Sequence, residues 1–135
     1  MSYKSWYDTH AIKHKNIVDK LTKLNLSNAD IIKYFDFDNM VKEENNFCIL
    51  YKKNKKCHDI ENLNCYFCGC PNFRIGDSKS YCSIDSKDGG TITAKNGFIH
   101  QDCTKCTVPH TTDYISDNFT IDWKSAMKDT FKIYL

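Results

Sequence analysis

The stretch NCYFCGCP, residues 64–71, places Cys65, Cys68 and Cys70 within six positions, and DCTKCTVPH, residues 102–110, repeats the two-residue spacing with Cys103 and Cys106. Thiols gather this closely for disulfides, for redox exchange or around metal. A redox C-x-x-C sits where a strand runs into a helix, with its first cysteine at the helix N-terminus. Neither stretch has that setting. Disulfides belong to oxidising compartments. The N-terminal MSYKSWYDTHAIKHK is charged and lacks the apolar centre of a signal peptide. The longest strictly apolar run, FCILY at residues 47–51, is far too short for a bilayer, and the terminal FKIYL carries no lipidation box. The expectation is a cytoplasmic protein, off the membrane, with reduced cysteines that bind metal.

In a C-x-x-C turn two thiolates converge on one ion at about 2.3 Å per sulfur, while backbone amides offset their charge. Beyond the two pairs Cys65/Cys68 and Cys103/Cys106 stand Cys48, Cys57, Cys70 and Cys82. Eight sulfurs fill two tetrahedral sites. Histidine can substitute, and His58, His100 and His110 each lie beside a cysteine or within four residues of one. Ligand type does not by itself separate zinc from an iron–sulfur cluster. Two zinc ions are the leading expectation. The crowded Cys65, Cys68 and Cys70 followed by Pro71 keep a cluster, and with it electron transfer or redox sensing, as the alternative.

The surroundings of these cysteines explain why metal would matter. All eight lie in residues 48–110, a segment rich in Asn, Asp, Ser, Lys and Gly and poor in apolar side chains. So thin an apolar set does not fix many turns unaided. A structural zinc contributes on the order of 10–16 kcal/mol in small zinc-folded peptides. One hairpin is legible: TITA and FIHQ across KNG, with Asn96-Gly97 suited to positive φ.

The flanks read as helices. Over residues 1–45, Trp6, His10, His14, Ile17, Val18, Leu21 and Leu24 recur at three- and four-residue steps. Ser27 then caps a second helix carrying Ile31, Ile32 and Phe35 inward, with Leu26 stapled to Ile31. Asp36 or Asp38 caps a third through Met40 and Val41. Residues 120–135 predict a closing helix capped by Thr120 or Asp122, with Trp123, Ala126, Met127, Thr130, Phe131 and Tyr134 on one face. His10 and His14 have a helical metal-binding spacing, yet on this face they read first as half-buried packing residues.

Composition narrows the function classes. The 135 residues suit a single domain spanning 1–135. Nineteen basic against seventeen acidic residues leave +2, too even a balance to imply a polyanion partner. The run YKKNKK, residues 51–56, offers weak support for nucleic acid and reads first as a solvated loop. No His/Glu constellation with a spare coordination position suggests a zinc hydrolase.

Taken in order, Cys57-His58, NCYFCGCPNF, Cys82 and DCTKCTVPH resemble the cysteine-rich small domain family of bacteria and archaea, whose pattern runs C-H, N-C-x-F-C-x-C-P, C, D-C-x-x-C-x-x-P-H. The likeness covers about residues 48–110 and departs from the family in the longer interval between Cys48 and Cys57. It implies a metal-binding, zinc-finger-like module without a catalytic role, with Cys48, Cys57, His58, Cys65, Cys68, Cys70, Cys82, Cys103, Cys106 and His110 as candidate ligands. The expected protein is α+β: a cysteine-rich centre of loops and a hairpin between N-terminal helices and a C-terminal helix. Its expected partner is a protein.

Overall fold

The apolar spacing near the N-terminus becomes helix α1, Tyr3–Lys23, in a computed structural model that describes residues 3–76 and 78–131. Tyr7, His10, His14, Ile17, Val18 and Leu21 form its buried face. Leu24, expected on that face, is 65% exposed because the helix closes just before it. Asn25 takes a left-handed φ of 60°. The Leu26 and Asn25 amides then bond the carbonyls of Leu21 and Thr22, at 3.4 and 2.9 Å. This double closure satisfies the last carbonyls and returns Leu26 to the core.

Ser27 caps helix α2, Asn28–Tyr34, accepting from the Asp30 amide at 3.2 Å. Ile31, Ile32 and Phe35 point inward as the pattern requires. Helix α3, Phe37–Glu43, follows Asp36. Asp36 holds the cap position, but its carboxylate accepts from the Asn64 side chain at 2.8 Å instead of capping. Phe47, Tyr51, Leu63, Tyr66 and Phe67 complete the core these helices surround.

Two small antiparallel hairpins follow. Strand β1, Phe73–Ile75, pairs with β2, Ser80–Cys82, placing Phe73 opposite Cys82. Strand β3, Gly90–Thr93, pairs with β4, Ile99–Asp102. The second is the expected hairpin; in its turn Gly97 alone takes positive φ, 87°, and Asn96 Oδ1 accepts from the Phe98 amide. A parallel bridge between Lys79 and Ile99 joins the hairpins, with Ser80 Oγ accepting from the Gln101 amide at 2.8 Å.

A short helix α4, Thr112–Asp117, carries Ile115 into the core. Asp122 caps α5, Trp123–Ala126, through the Lys124 amide. The closing helix is therefore present but one turn long, and the chain continues in turns to Phe131 with Met127 and Thr130 still buried. The expected position of Tyr134 lies outside the described residues. Helices with two small sheets make the fold α+β. Among the described residues no helix is long and apolar enough to cross a membrane.

Candidate metal centre

The loop carrying the first cysteine pair is built into the core rather than laid over it. Asn64 is fully buried and holds the loop from both sides. Its amide nitrogen donates to the Ile32 carbonyl at 2.7 Å and to Asp36, while its oxygen accepts from the Tyr66 amide at 2.8 Å. The next turn tightens as the Cys68 amide bonds the Cys65 carbonyl, and Gly69 and Cys70 adopt left-handed φ of 103° and 58°. Gly69 is required twice over. Its φ disfavours a side chain. A Cβ there would also meet the Trp123 ring at 3.1 Å and the Trp6 ring at 3.2 Å.

The flanking helices supply the loop's outer hydrogen bonds. His14 Nε2 donates to the Tyr66 carbonyl at 3.0 Å, Trp123 Nε1 to that of Cys68 at 3.0 Å and the Tyr7 hydroxyl to that of Gly69 at 2.6 Å. Three backbone carbonyls in a row of four residues thus face side-chain donors. The role of Trp123 and Tyr7 is invisible in local sequence, since each partner lies more than fifty positions away.

Cys57, His58 and His110 meet: their ligand atoms all lie within 4.8 Å of one another. The Cys57 sulfur is 3.0 Å from His58 Nδ1 and 3.7 Å from His110 Nε2. Tetrahedral zinc, with its ordinary bond lengths, separates sulfur from nitrogen by about 3.6 Å. The far nitrogens fix both tautomers. His58 Nε2 donates to the Cys103 carbonyl at 2.7 Å, and His110 Nδ1 to the Asn64 carbonyl at 2.9 Å. Carbonyls only accept, so each ring must present a bare nitrogen to Cys57. A thiol has one proton and can satisfy one of these nitrogens; a cation satisfies the sulfur and both. Pro109, in the 3₁₀ turn Val108–His110, helps set His110 in place.

The same group is a poor nucleophile. A reactive thiol needs a depressed pKa. Desolvation by the surrounding atoms, with Cys48 nearby, instead pushes Cys57 up to about 11, although the residue keeps an exposed surface. Without a cation its sulfur stays protonated at neutral pH.

The remaining cysteines fall into two neighbourhoods, all eight as free thiols. Burial raises Cys65 to about 12, and the charges of Cys57 and Cys48 add to it. Cys68 is raised by burial, then by Cys65, Cys57 and Cys48. On the other side burial raises Cys70 to about 11, with Cys82 and Cys106 as its charged neighbours. Cys103 likewise rises to about 11, through burial and then Cys70, Cys106 and Cys82. By these influences Cys48, Cys57, Cys65 and Cys68 fall on one side and Cys70, Cys82, Cys103 and Cys106 on the other, with Cys70 also acting on Cys68 and so linking the two. Among the described residues neither set draws three sulfurs within the 4.8 Å that Cys57, His58 and His110 achieve.

Polar groups aim at these sulfurs. Ser86 Oγ lies 3.1 Å from Cys106 Sγ. Tyr51, 3% exposed, has a hydroxyl without a well-formed hydrogen bond; burial raises its pKa first, then the neighbouring Cys65 sulfur. A donor held idle beside sulfur suits thiolate better than thiol. A cavity of about 240 Å³ opens between the sets, lined by Cys57, His58, Cys68, Cys70, Cys82, Cys103, Cys106 and His110. Donor types, tautomers and the idle hydroxyl all fit a metal ion.

Other sequence-derived candidates lie elsewhere. His100 pairs with the Tyr3 hydroxyl at 2.7 Å. His10 and His14 sit in an aromatic box, His10 stacked on Trp6 and His14 on Phe35. Lys56 of the basic run donates to the Ile60 and Glu61 carbonyls. Asn64 is within reach of sequence reading, since it heads the quoted motif. Tyr51 and Ser86 carry no such mark. No protein-family model, curated protein or solved structure matches the chain.

Proposed function

We propose that this is a non-catalytic metal-binding protein with two thiolate-rich structural zinc sites, one centred on each cysteine neighbourhood, that together shape a surface for a protein partner. The observation that carries this reading is the pair of bare imidazole nitrogens turned on the single Cys57 sulfur. The ordered motif resembling the cysteine-rich small domain family supports it, as do the idle Tyr51 hydroxyl and the thin apolar content around Cys82 and Cys103. Zinc in such sites would hold turns that side-chain packing does not. Exposed Ile84 and Ile92 on the hairpin side support a protein rather than a nucleic acid as the partner.

A second reading is an iron–sulfur protein for electron transfer or redox sensing. It draws support from the cavity of about 240 Å³, roomier than a single ion needs and lined by five cysteines besides Cys57. Metal and sulfide analysis of protein purified without oxygen separates the two. The zinc reading expects colourless protein with about two tightly held zinc ions per chain, as two closed tetrahedral sites require. Brown protein with iron and acid-labile sulfide replaces it with the second. Protein that folds with neither metal overturns both.

A further inference from the structure

The outer edges of the two hairpins are not closed alike. On β1 the Ile75 amide bonds the Thr130 carbonyl at 3.0 Å. On β4 the Ile99 amide bonds the Ser78 carbonyl at 3.1 Å, and the Gln101 amide bonds Ser80 Oγ at 2.8 Å. The edge of β3 is open. The Ala94 amide donates to the Phe98 carbonyl at 2.8 Å, so alternate residues of this ladder, Ala94 and Ile92, face β4. Thr91 and Thr93 therefore turn amide and carbonyl outward, and among the described residues nothing outside the hairpin bonds them. Every residue of β3 is exposed, Ile92 by 56%. Open edges are ordinarily blunted by an internal Lys or Pro or by a bulge. β3 reads GTIT in unbroken register and has none of these, only its short length.

We propose that β3 is a self-pairing edge, joining antiparallel to β3 of a second copy of this chain across a two-fold axis at Ile92. This inference rests on the protein-partner part of the reading above, names that partner, and needs no particular metal. In this register Thr91 of each copy lies opposite Thr93 of the other, and each such pair exchanges its outward amides and carbonyls. The two Ile92 side chains then meet as a non-hydrogen-bonded pair, with about 4.5 Å between Cα atoms, where β-branched neighbours pack well. Charge agrees with the direction. Asp85, Lys87 and Asp88 lead into the strand with two acids against one base, and Lys95 leaves it with a positive charge. Antiparallel pairing sets each end against its opposite; parallel pairing would set like against like. Asp88 and Lys95 are exposed, and neither has an ion pair among the described residues. So small a contact makes a reversible dimer rather than a permanent one.

The test is sedimentation of the full chain as purified, from about 10 μM to about 1 mM, the range in which weak interfaces form. The average mass should climb from 15.7 kDa towards twice that value. Over the same range, amide exchange should slow at Thr91 and Thr93 and stay unchanged at Ile92. Thr91→Pro deletes an outward donor without touching the internal ladder, and should weaken association about tenfold or more. Ile92→Lys sets two ammonium groups at the axis and should keep the chain monomeric throughout. A native chain that stays at 15.7 kDa overturns the self-pairing and leaves the edge to a strand of another protein. A dimer that both variants form as readily as the native chain overturns it too, as does exchange at Thr91 and Thr93 that ignores concentration. None of these results touches the metal-binding reading, which metal analysis of the same sample decides separately. Should the variants fail to fold, the native mass and the exchange of Thr91 and Thr93 decide alone.

Discussion

Helix α1 buries six side chains on one face, while from residue 81 to residue 105 the chain buries none. The two regions solve the same problem with different means. The helical side removes apolar surface from water and needs little else. The hairpin side leaves Ile84, Ile92 and Ile99 exposed and relies on backbone pairing, the Ser80–Gln101 bond and the sulfurs of Cys82, Cys103 and Cys106. Between them lie residues 63–68, where Cys65 sits inside the aromatic core itself and Cys68 is only partly buried. Under the metal-binding reading proposed above, cross-linking by metal would matter most for residues 81–105 and least for the core-embedded residues 63–68.

The largest break in this comparison should come from stripping metal. Chelation should release the hairpin side while α1 keeps its helix, because zinc of this kind contributes on the order of 10 kcal/mol. Amide exchange read segment by segment checks it: residues 81–105 should lose protection well before residues 7–21. Equal loss on both sides would erase the distinction. Phe35→Ala probes the other region. Phe35 has no exposed surface. Its removal should cost about 3–5 kcal/mol in a denaturant melt.

Acid should single out the helical side as well. Burial lowers His10 to about 3, with His14 and Lys13 adding to it, and His14 to about 4 against the pull of its Tyr66 bond and Asp122. Both folded values lie below the ordinary one, so the stabilisation is complete above about pH 6.5 and is lost as pH falls towards about 3 to 4. Metal-free protein should lose a few kcal/mol across that window. His14→Gln, which can still donate to Tyr66, should shallow the slope by roughly one proton. An unchanged slope would mean His14 does not titrate there. The smallest effect sharpens the contrast. Ile92 is 56% exposed in β3. Ile92→Thr should therefore shift the denaturant midpoint by an amount worth no more than about 0.5 kcal/mol.

What can be read from sequence follows the range of the interactions. Helices α1 and α2, the Ser27 cap and the Gly97 hairpin are local, and their side chains announce them. Motif order marks Cys57, His58 and His110 as candidates, but that they meet is not legible in it, because 53 positions separate Cys57 from His110. The hairpin of β1 and β2 is not legible either, because three-residue strands reading FRI and SYC are too short to show alternation. Helix α4 is six residues with one buried side chain, below any periodic signal. Asp36 has the composition of a cap and becomes a partner for Asn64, a choice made by the tertiary fold.

The side chains of Tyr7, His14 and Trp123, each donating to a carbonyl of residues 66–69, have a practical corollary. A designer who transplants only the octapeptide NCYFCGCP into another scaffold carries across the sulfurs but none of these donors. The recipient would have to furnish an indole, a phenol and an imidazole at matching heights before the graft could hold its shape. The portable unit is thus the loop together with its two helical clamps.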